Sequence, residues 1–258
     1  MKNLNAIYLE IAGLYIKIMF GKTDLNNLKF KLIRGIYSIY KGFILKRKPK
    51  QINFTIQIRQ TKIFVIRKKR GSLITFYENR GSNKISTYYH ISQFQLYLIL
   101  ETVLEKMLGH DGCILHASAA KKGKKGIIFL GKSGAGKSTV IKQLNHSYLP
   151  LADDLIILKK EMGRFYIYQT PFFEKNVWFE KKKQKYPLVR IYLLRKSNLF
   201  KTEKINNKNY VLKHIASQIW FDDINLKKKY KLILNLVKKF REFYFLHFIK
   251  NKIPIDNV

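Results

Sequence analysis

Cysteine, proline and acidic residues are scarce in this sequence, and it contains no long apolar run. There is one cysteine, Cys113, in 258 residues, which excludes an internal disulfide framework and a zinc site made of four cysteines. We expect Cys113 to pack within a strand. No apolar run approaches the roughly 20 residues that cross a bilayer, and the most lipophilic N-terminal stretch, residues 11–20, is interrupted by Lys17. We therefore expect a cytoplasmic protein with no transmembrane segment.

The shortage of acidic residues leaves the chain strongly basic. Lysine and arginine total 51 against 16 aspartates and glutamates, a formal charge of +35. Such a charge suits partners that are anionic, namely nucleic acid, an anionic membrane surface or an acidic protein. Lysine greatly outnumbers arginine, and isoleucine and asparagine are frequent, a bias that an AT-rich genome also produces. The 47% hydrophobic content is ample for a folded core.

Residues 131–139, GKSGAGKST, carry the strongest motif of the chain. Gly131, Gly136, Lys137 and Ser138 fit the phosphate-loop pattern, in which backbone amides surround the phosphates of a nucleotide and the lysine reaches the β and γ phosphates. A short apolar strand precedes the loop and an apolar-faced helix follows it, as this motif requires. The sequence therefore predicts an ATP or GTP site. The residues expected to bind the nucleotide are Gly131, Ser133, Gly134, Ala135, Gly136, Lys137, Ser138 and Thr139.

Two adjacent acids, Asp153 and Asp154, interrupt the apolar run of residues 151–158. Because neighbouring strand positions point to opposite faces, we expect the pair at the mouth of a strand, where both side chains can turn toward the phosphates. Burial of two carboxylates without a cation is costly. Mg²⁺ held by Ser138, Asp153 and Asp154 supplies that cation, and one of the acids orients or deprotonates an attacking hydroxyl. The residues alone do not decide which acid has which role.

Residues 112–120 are predicted to form a strand that carries His116 and makes a hairpin with the strand before the loop. A single histidine beside an apolar run is more often a packed edge residue than a functional one. The histidine is nonetheless a candidate catalytic residue together with Lys137, Asp153 and Asp154.

The chain divides into a small β-rich module of residues 1–90 with one basic helix and a nucleotide-binding domain of residues 91–258. Ser92 and Gln95 form a capping-box pattern that begins a strong apolar helix, which we expect to pack against the nucleotide core. An aromatic-rich loop begins at Thr170 and reaches Trp178. Further strands are predicted at residues 6–20 (two, meeting at Ala12-Gly13), 52–59, 63–67, 73–77, 85–89, 126–130, 165–168, 188–194 and 243–249, and further helices at residues 25–43, 210–220 and 226–240.

Three segments together, HAS (residues 116–118), the loop of residues 131–139 and LADD (residues 151–154), resemble the HPr kinase/phosphorylase-like group. The core of that group is similar to that of ATP-dependent phosphoenolpyruvate carboxykinase, and the resemblance covers about residues 94–194. It implies an α/β fold with a mixed sheet, in which the loop holds ATP, the acid pair serves Mg²⁺ and the catalytic base, and the histidine lies beside the reacting phosphate.

The sequence departs from the group in one respect. It lacks the second glycine- and arginine-containing signature that HPr kinases carry after the acid pair, which argues against regulation of a sugar-transport phosphocarrier. It looks more like the related proteins that accompany peptide-modification pathways, including those for lasso peptides, whose members phosphorylate a serine of a small peptide. Relatives in the group are often homo-oligomers.

The leading hypothesis is an ATP- and Mg²⁺-dependent kinase that transfers the γ-phosphoryl group to a serine or threonine hydroxyl of a peptide or small protein. A basic surface would attract an acidic acceptor. The alternative is a nucleotide-dependent binding or regulatory protein acting on nucleic acid or an anionic membrane, for which the basic segments at residues 46–50 and 67–70 would provide contacts.

Overall fold

The computed structural model describes residues 4–60, 64–68, 71–144, 147–172, 174, 179–220 and 226–249, and for residues 64–68 and 71–74 it describes the backbone only. The chain forms two compact units, Met1–Met107 and Leu108–Val258. Each contains helices and a sheet with both parallel and antiparallel neighbours. The mixed α/β fold class predicted from the sequence is therefore confirmed. The division into a module of residues 1–90 and a nucleotide-binding domain of residues 91–258 stays a prediction.

Over its described residues, the first unit is a five-stranded sheet with two α-helices and a separate hairpin. Its elements are β1 (Ala6–Ile11), β2 (Leu14–Phe20), α1 (Asn26–Ile39), β3 (Phe54–Arg59), β4 (Phe64–Lys68), β5 (Gly71–Thr75), β6 (Tyr77–Asn79), β7 (Lys84–Tyr88) and α2 (Gln93–Leu108). The sheet order is β1-β2-β3-β7-β6, and β4 pairs only with β5. In β3 the alternate residues Phe54, Ile56 and Ile58 are buried, as the period of two predicts.

Two local signals in the first unit have the predicted structure. Ala12 and Gly13 turn the chain between β1 and β2, with positive φ at both residues (52° and 75°). At the start of α2, the Gln95 amide donates to Ser92 Oγ (3.1 Å) and the Ser92 amide donates to Gln95 Oε1 (2.8 Å). This reciprocal capping satisfies two backbone donors that the first turn of a helix leaves unpaired. The side chains of the basic segment 67–70 lie outside the described residues.

The second unit is a nine-stranded sheet with three helices among its described residues. Its elements are β8 (Gly112–His116), β9 (Ser118–Lys122), β10 (Lys125–Leu130), α3 (Lys137–Leu144), β11 (Leu149–Ala152), β12 (Leu155–Glu161), β13 (Arg164–Gln169), β14 (Lys185–Lys196), β15 (Lys201–Lys204), α4 (Lys208–Ala216), α5 (Leu226–Lys239) and β16 (Phe243–Phe248). The main order is β11-β9-β10-β14-β13-β12-β8, with β16 between β14 and β15. Because β10, β14 and β16 are parallel, their carboxyl ends meet at one edge of the sheet.

Residues 112–122, which form β8 and β9, run antiparallel to residues 149–161, which form β11 and β12, and both segments bend at the same point of the sheet. β8 and β9 are separated by Ala117 alone, and β11 and β12 are separated by Asp153 and Asp154. His116 pairs with Leu155 on one side of the bend and Ala119 pairs with Ala152 on the other. The sequence predicted one strand over residues 112–120 and another over residues 151–158, with the acid pair at the mouth of the second. They are interrupted because the two halves join different neighbours, β10 for β9 and β13 for β12.

The sheet of the second unit is covered by helices over two apolar clusters. One cluster includes residues of β8, β12, β14, α4 and α5, and α5 contributes its predicted apolar face of Leu232, Leu236 and Val237. The other brings Val140 and Ile141 of α3 against β10, β14 and β16. No helix among the described residues is long and apolar enough to span a membrane. Trp178, at the end of the predicted aromatic loop, lies outside the described residues.

Candidate active site

The phosphate loop connects the carboxyl end of β10 to the first residue of α3. Lys137 is the first residue of α3 and Gly131 is the first after β10. Gly136 has φ 98°, a conformation that residues with a side chain rarely adopt. A Cβ atom at Gly136 would also overlap Cζ of Phe248, on β16. Glycine at position 136 is therefore required twice, for its backbone conformation and for its contact with the neighbouring strand.

We expect Gly136→Ala to destabilise the protein and weaken nucleotide binding. A left-handed backbone costs about 1 to 2 kcal/mol and overpacking against Phe248 about 1 to 3 kcal/mol, so the free energy of unfolding should fall by about 2 to 5 kcal/mol. Chemical denaturation with and without ATP measures both effects. The matched control is Gly123→Ala, at another positive φ (60°) with nothing within 4 Å of the added Cβ. An equal loss in the two variants would contradict the role of the Phe248 contact.

The Lys137 side chain is buried against the backbone of the phosphate loop. Its Nζ donates to the carbonyl oxygen of Gly131 (2.8 Å), and only 8% of the residue is exposed. Burial lowers the pKa of Lys137, and the charges of Asp154 and Asp153 oppose that shift. The buried ammonium lies next to backbone positions where a phosphate would be surrounded by amides, so it is placed to bind an anion.

Asp153 faces the phosphate loop. Its Oδ1 accepts a hydrogen bond from Ser118 Oγ (3.2 Å), which also donates to the Asp153 carbonyl oxygen (3.0 Å). Burial raises the pKa of Asp153, and hydrogen bonds from the Ser138 and Ser118 side chains oppose that shift. A partly desolvated carboxylate bonded to the phosphate-loop serine is a pair of oxygen ligands of the kind that nucleotide-bound Mg²⁺ uses.

Asp154 is paired with the histidine, and its charge also acts on Lys137 of the loop. Its Oδ1 lies 2.9 Å from Nε2 of His116, and this hydrogen bond is the main reason that the pKa of Asp154 is lowered despite burial. The ring of His116 is further in contact with the indole of Trp220, edge to face at 6.4 Å. The two adjacent aspartates therefore differ in environment: the Asp153 carboxylate accepts from Ser118 beside the loop serine, and the Asp154 carboxylate is paired with His116.

One cavity of about 660 Å³ collects these side chains. Its lining residues are His116, Ser133, Gly134, Gly136, Lys137, Ser138, Thr139, Asp153, Asp154, Glu174, Lys196 and Phe248. Of the residues predicted from the sequence, all but Gly131 and Ala135 line it. Those two residues form hydrogen bonds within the loop. The Ala135 amide donates to the Lys132 carbonyl oxygen (3.0 Å), and the Gly131 carbonyl oxygen accepts from Lys137 Nζ.

Three lining residues were not predicted: Glu174, Lys196 and Phe248. Lys196 and Phe248 are in register at the ends of β14 and β16, so the parallel topology brings them to the loop. Their positions at the ends of apolar runs were the only sequence signal. Glu174 falls within the aromatic-rich loop that begins at Thr170, to which the sequence assigned no role.

Glu174 is a buried carboxylate that contacts the acid pair. Its side chain is 1% exposed and forms an ion pair with Lys181, with 2.9 Å between Oε1 and Nζ. Its Oε2 accepts a hydrogen bond from the backbone amide of Asp153 (2.9 Å). Burial raises the pKa of Glu174 and lowers that of Lys181, and in each case the charge of the partner opposes the shift.

The oxygen ligands at the loop fit nucleotide-bound Mg²⁺ better than a metal held by protein alone. Among the described residues no three histidine, cysteine or acidic side chains converge into a metal cage. Nucleotide-bound Mg²⁺ needs only one or two protein oxygens, because phosphates and water complete its octahedron. Ser138 and Asp153 meet that requirement.

Comparisons with known proteins do not assign this chain to a family. No protein-family model and no curated protein matches the chain. Among solved structures, the chain is similar to the Hpr(Ser) kinase/phosphatase from Coxiella burnetii, at 16% identity, covering 49% of this chain and 97% of that one, with a TM-score of 0.27. A superposition of this quality carries no argument about function. The resemblance to the HPr kinase/phosphorylase-like group, and its link to peptide modification, therefore stay predictions.

Proposed function

We propose that the protein is an ATP- and Mg²⁺-dependent phosphotransferase that moves the γ-phosphoryl group to a hydroxyl. The observation that carries this proposal is the single cavity that joins Lys137 and Ser138 of the phosphate loop to Asp153 and to the Asp154–His116 pair. Phosphoryl transfer needs little covalent chemistry from the protein, and positioning with charge stabilisation supplies most of the rate. These residues supply both.

The different environments of the two aspartates support different roles. Asp153, bonded to Ser138, would hold the metal together with that hydroxyl. When bound there, Mg²⁺ neutralises charge on the phosphates. The hydrogen bond with His116 lowers the pKa of Asp154 and keeps it ionised, so it would orient the acceptor hydroxyl and take its proton as the new O–P bond forms, the bond to the β-phosphate breaks and ADP leaves. His116 fixes the direction of that carboxylate. Lys137 and the loop amides bind the oxygens of the transferring group.

The acceptor that we propose is a serine or threonine of an acidic peptide or small protein, such as the precursor of a peptide natural product. Three lysines lie on or near the loop: Lys196 lines the cavity, and Lys132 and Lys142 are exposed. With a net charge of +35 on the chain, an acidic acceptor would be attracted and oriented. We further propose a cytoplasmic enzyme, in keeping with the buried, unpaired Cys113.

Incubation with Mg²⁺ and γ-labelled ATP, with and without acidic serine-containing peptides, tests the proposal. We expect slow release of γ-phosphate alone, faster consumption with an acceptor, and a product heavier by one phosphate in mass spectrometry. Removal of Mg²⁺ with EDTA should stop both reactions. Tight ATP binding without turnover against a broad peptide and protein library would contradict the proposal. In that case DNA and anionic vesicles would be tested next, because salt-sensitive retention on either would favour the alternative binding role.

A further inference from the structure

We propose that the buried Glu174–Lys181 ion pair is a positioning element that holds the Asp153-Asp154 bend in its reactive geometry. The inference rests on the function proposed above and extends it to two residues outside the phosphate loop. Neither side chain was singled out by any sequence motif.

The first observation is that the bend lacks an ordinary strand partner where Glu174 contacts it. The ladder between β11 and β9 shifts register between Pro150 and Ala152. The amide of the next residue, Asp153, donates to the Glu174 carboxylate (2.9 Å) instead of to a strand carbonyl. A buried amide without an acceptor is costly, so Glu174 replaces the missing strand contact. It thereby fixes the backbone from which both acids project.

The second observation is that Glu174 is itself fixed by Lys181. The ammonium of Lys181 lies 2.9 Å from Glu174 Oε1, and the side chains of Lys181 and Glu174 are 11% and 1% exposed. Lys181 also donates to the carbonyl oxygen of Phe172, two residues before Glu174. The Lys181 ammonium therefore holds the Glu174 side chain against the backbone at Phe172. The loop is held on its other side by Thr170 Oγ1, which donates to the carbonyl of Leu155 (3.1 Å), just after the acids.

The third point is that stability alone does not explain a buried ion pair at this place. Apolar residues of similar volume often replace such pairs with no loss of stability, whereas removal of one partner leaves an uncompensated buried charge. The pair at the edge of this cavity offers something that apolar residues cannot, which is an acceptor for the Asp153 amide. A positioning role therefore accounts for both the location and the chemistry of the pair.

The test compares variants that separate folding from positioning. Glu174→Leu/Lys181→Met removes both charges together and should still fold, with a melting temperature lowered by several degrees because the Asp153 amide loses its acceptor. It should nevertheless lower kcat for phosphoryl transfer at least 30-fold, with KM for ATP changed less than threefold, because the loop residues are untouched. Lys181→Arg keeps the cation and should retain most of the activity, whereas Lys181→Met should lose it. Glu161→Gln is the matched control, since Glu161 pairs with Lys185 (2.7 Å) and Lys159 (3.3 Å) about 20 Å along β12 from the acids.

A second measurement does not depend on turnover. In the ligand-free protein, the Asp153 amide should show the downfield proton shift and slow exchange of a donor to a carboxylate. Both features should disappear in Glu174→Leu/Lys181→Met and remain in Glu161→Gln. An Asp153 amide that is unchanged in the double variant would overturn the inference even if the wild type transfers no phosphate. Turnover within threefold of the wild type in the double variant would overturn it as well. A wild type without turnover, but with the expected change at Asp153, would instead remove the proposed function and keep the positioning of the bend.

Discussion

Asp154→Asn is expected to reduce phosphoryl transfer by about 10² to 10⁴-fold, the range for loss of a general base, while ATP binds within a few-fold of its wild-type affinity. Asparagine keeps the shape of the side chain but cannot take a proton from the acceptor hydroxyl. Asp154 is hydrogen-bonded to His116 (2.9 Å), and its charge also acts on Lys137, so loss of that charge should change ATP affinity only by a few-fold. Single-turnover kinetics with labelled ATP, together with equilibrium binding, separates the two quantities.

The neighbouring acid provides the internal comparison for that experiment. Asp153→Asn should mainly weaken the binding of Mg²⁺ with ATP, because the Asp153 carboxylate lies beside the Ser138 hydroxyl. Titration of ATP binding at several Mg²⁺ concentrations would show this as a higher requirement for the metal. If the two variants exchanged these phenotypes, the assignment of base and metal ligand would be reversed. If neither variant lost activity, the acid pair would have no part in catalysis.

Lys137→Ala is expected to lower turnover by on the order of 10³-fold, which corresponds to about 4 kcal/mol of transition-state stabilisation. The ammonium of Lys137 is nearly enclosed and is desolvated enough that burial lowers its pKa. A charge in such surroundings interacts with phosphate oxygens more strongly than an exposed lysine does. ATP affinity should also fall, by about tenfold or more, because the same group contacts the bound phosphates.

The control for Lys137 should remove an equal charge from the surface. Lys124→Ala changes an exposed lysine in the turn between β9 and β10 and should leave turnover and affinity unchanged. Circular dichroism and thermal unfolding of both variants would confirm that they fold. A Lys137→Ala protein that is folded and still turns over at a wild-type rate would exclude the phosphate loop from the reaction.

Local signals in the sequence were sufficient to predict most of the elements of the fold. The alternation in β3, the capping box of α2 and the strand before the phosphate loop each depend on residues within a few positions of one another. The bend at Asp153 was not predictable in the same way. It arises because the two halves of a strand pair with different neighbours, which is a property of the whole sheet.

The same distinction between local and distant signals holds for the candidate site. The loop residues follow a contiguous motif, and the acids were recognised because adjacent carboxylates within an apolar run are unusual. Lys196 and Phe248 come to the cavity only through the parallel order of β14 and β16. Glu174 acts on the amide of Asp153, 21 positions earlier in the chain. A contact between a side chain and a distant backbone group leaves no trace in sequence spacing, and this is why Glu174 had no assigned role.

The bend shared by the segments β8–β9 and β11–β12 also has a consequence for the order of folding. His116 and Asp154 meet only after residues far apart in the chain have paired on both sides of Ala117. Closing such a long loop is slow and entropically costly, so these contacts should form late. The helix of the phosphate loop lies between the two segments in sequence and can form locally. Recovery of nucleotide turnover during refolding should therefore lag behind recovery of helical structure and coincide with the last step of sheet assembly.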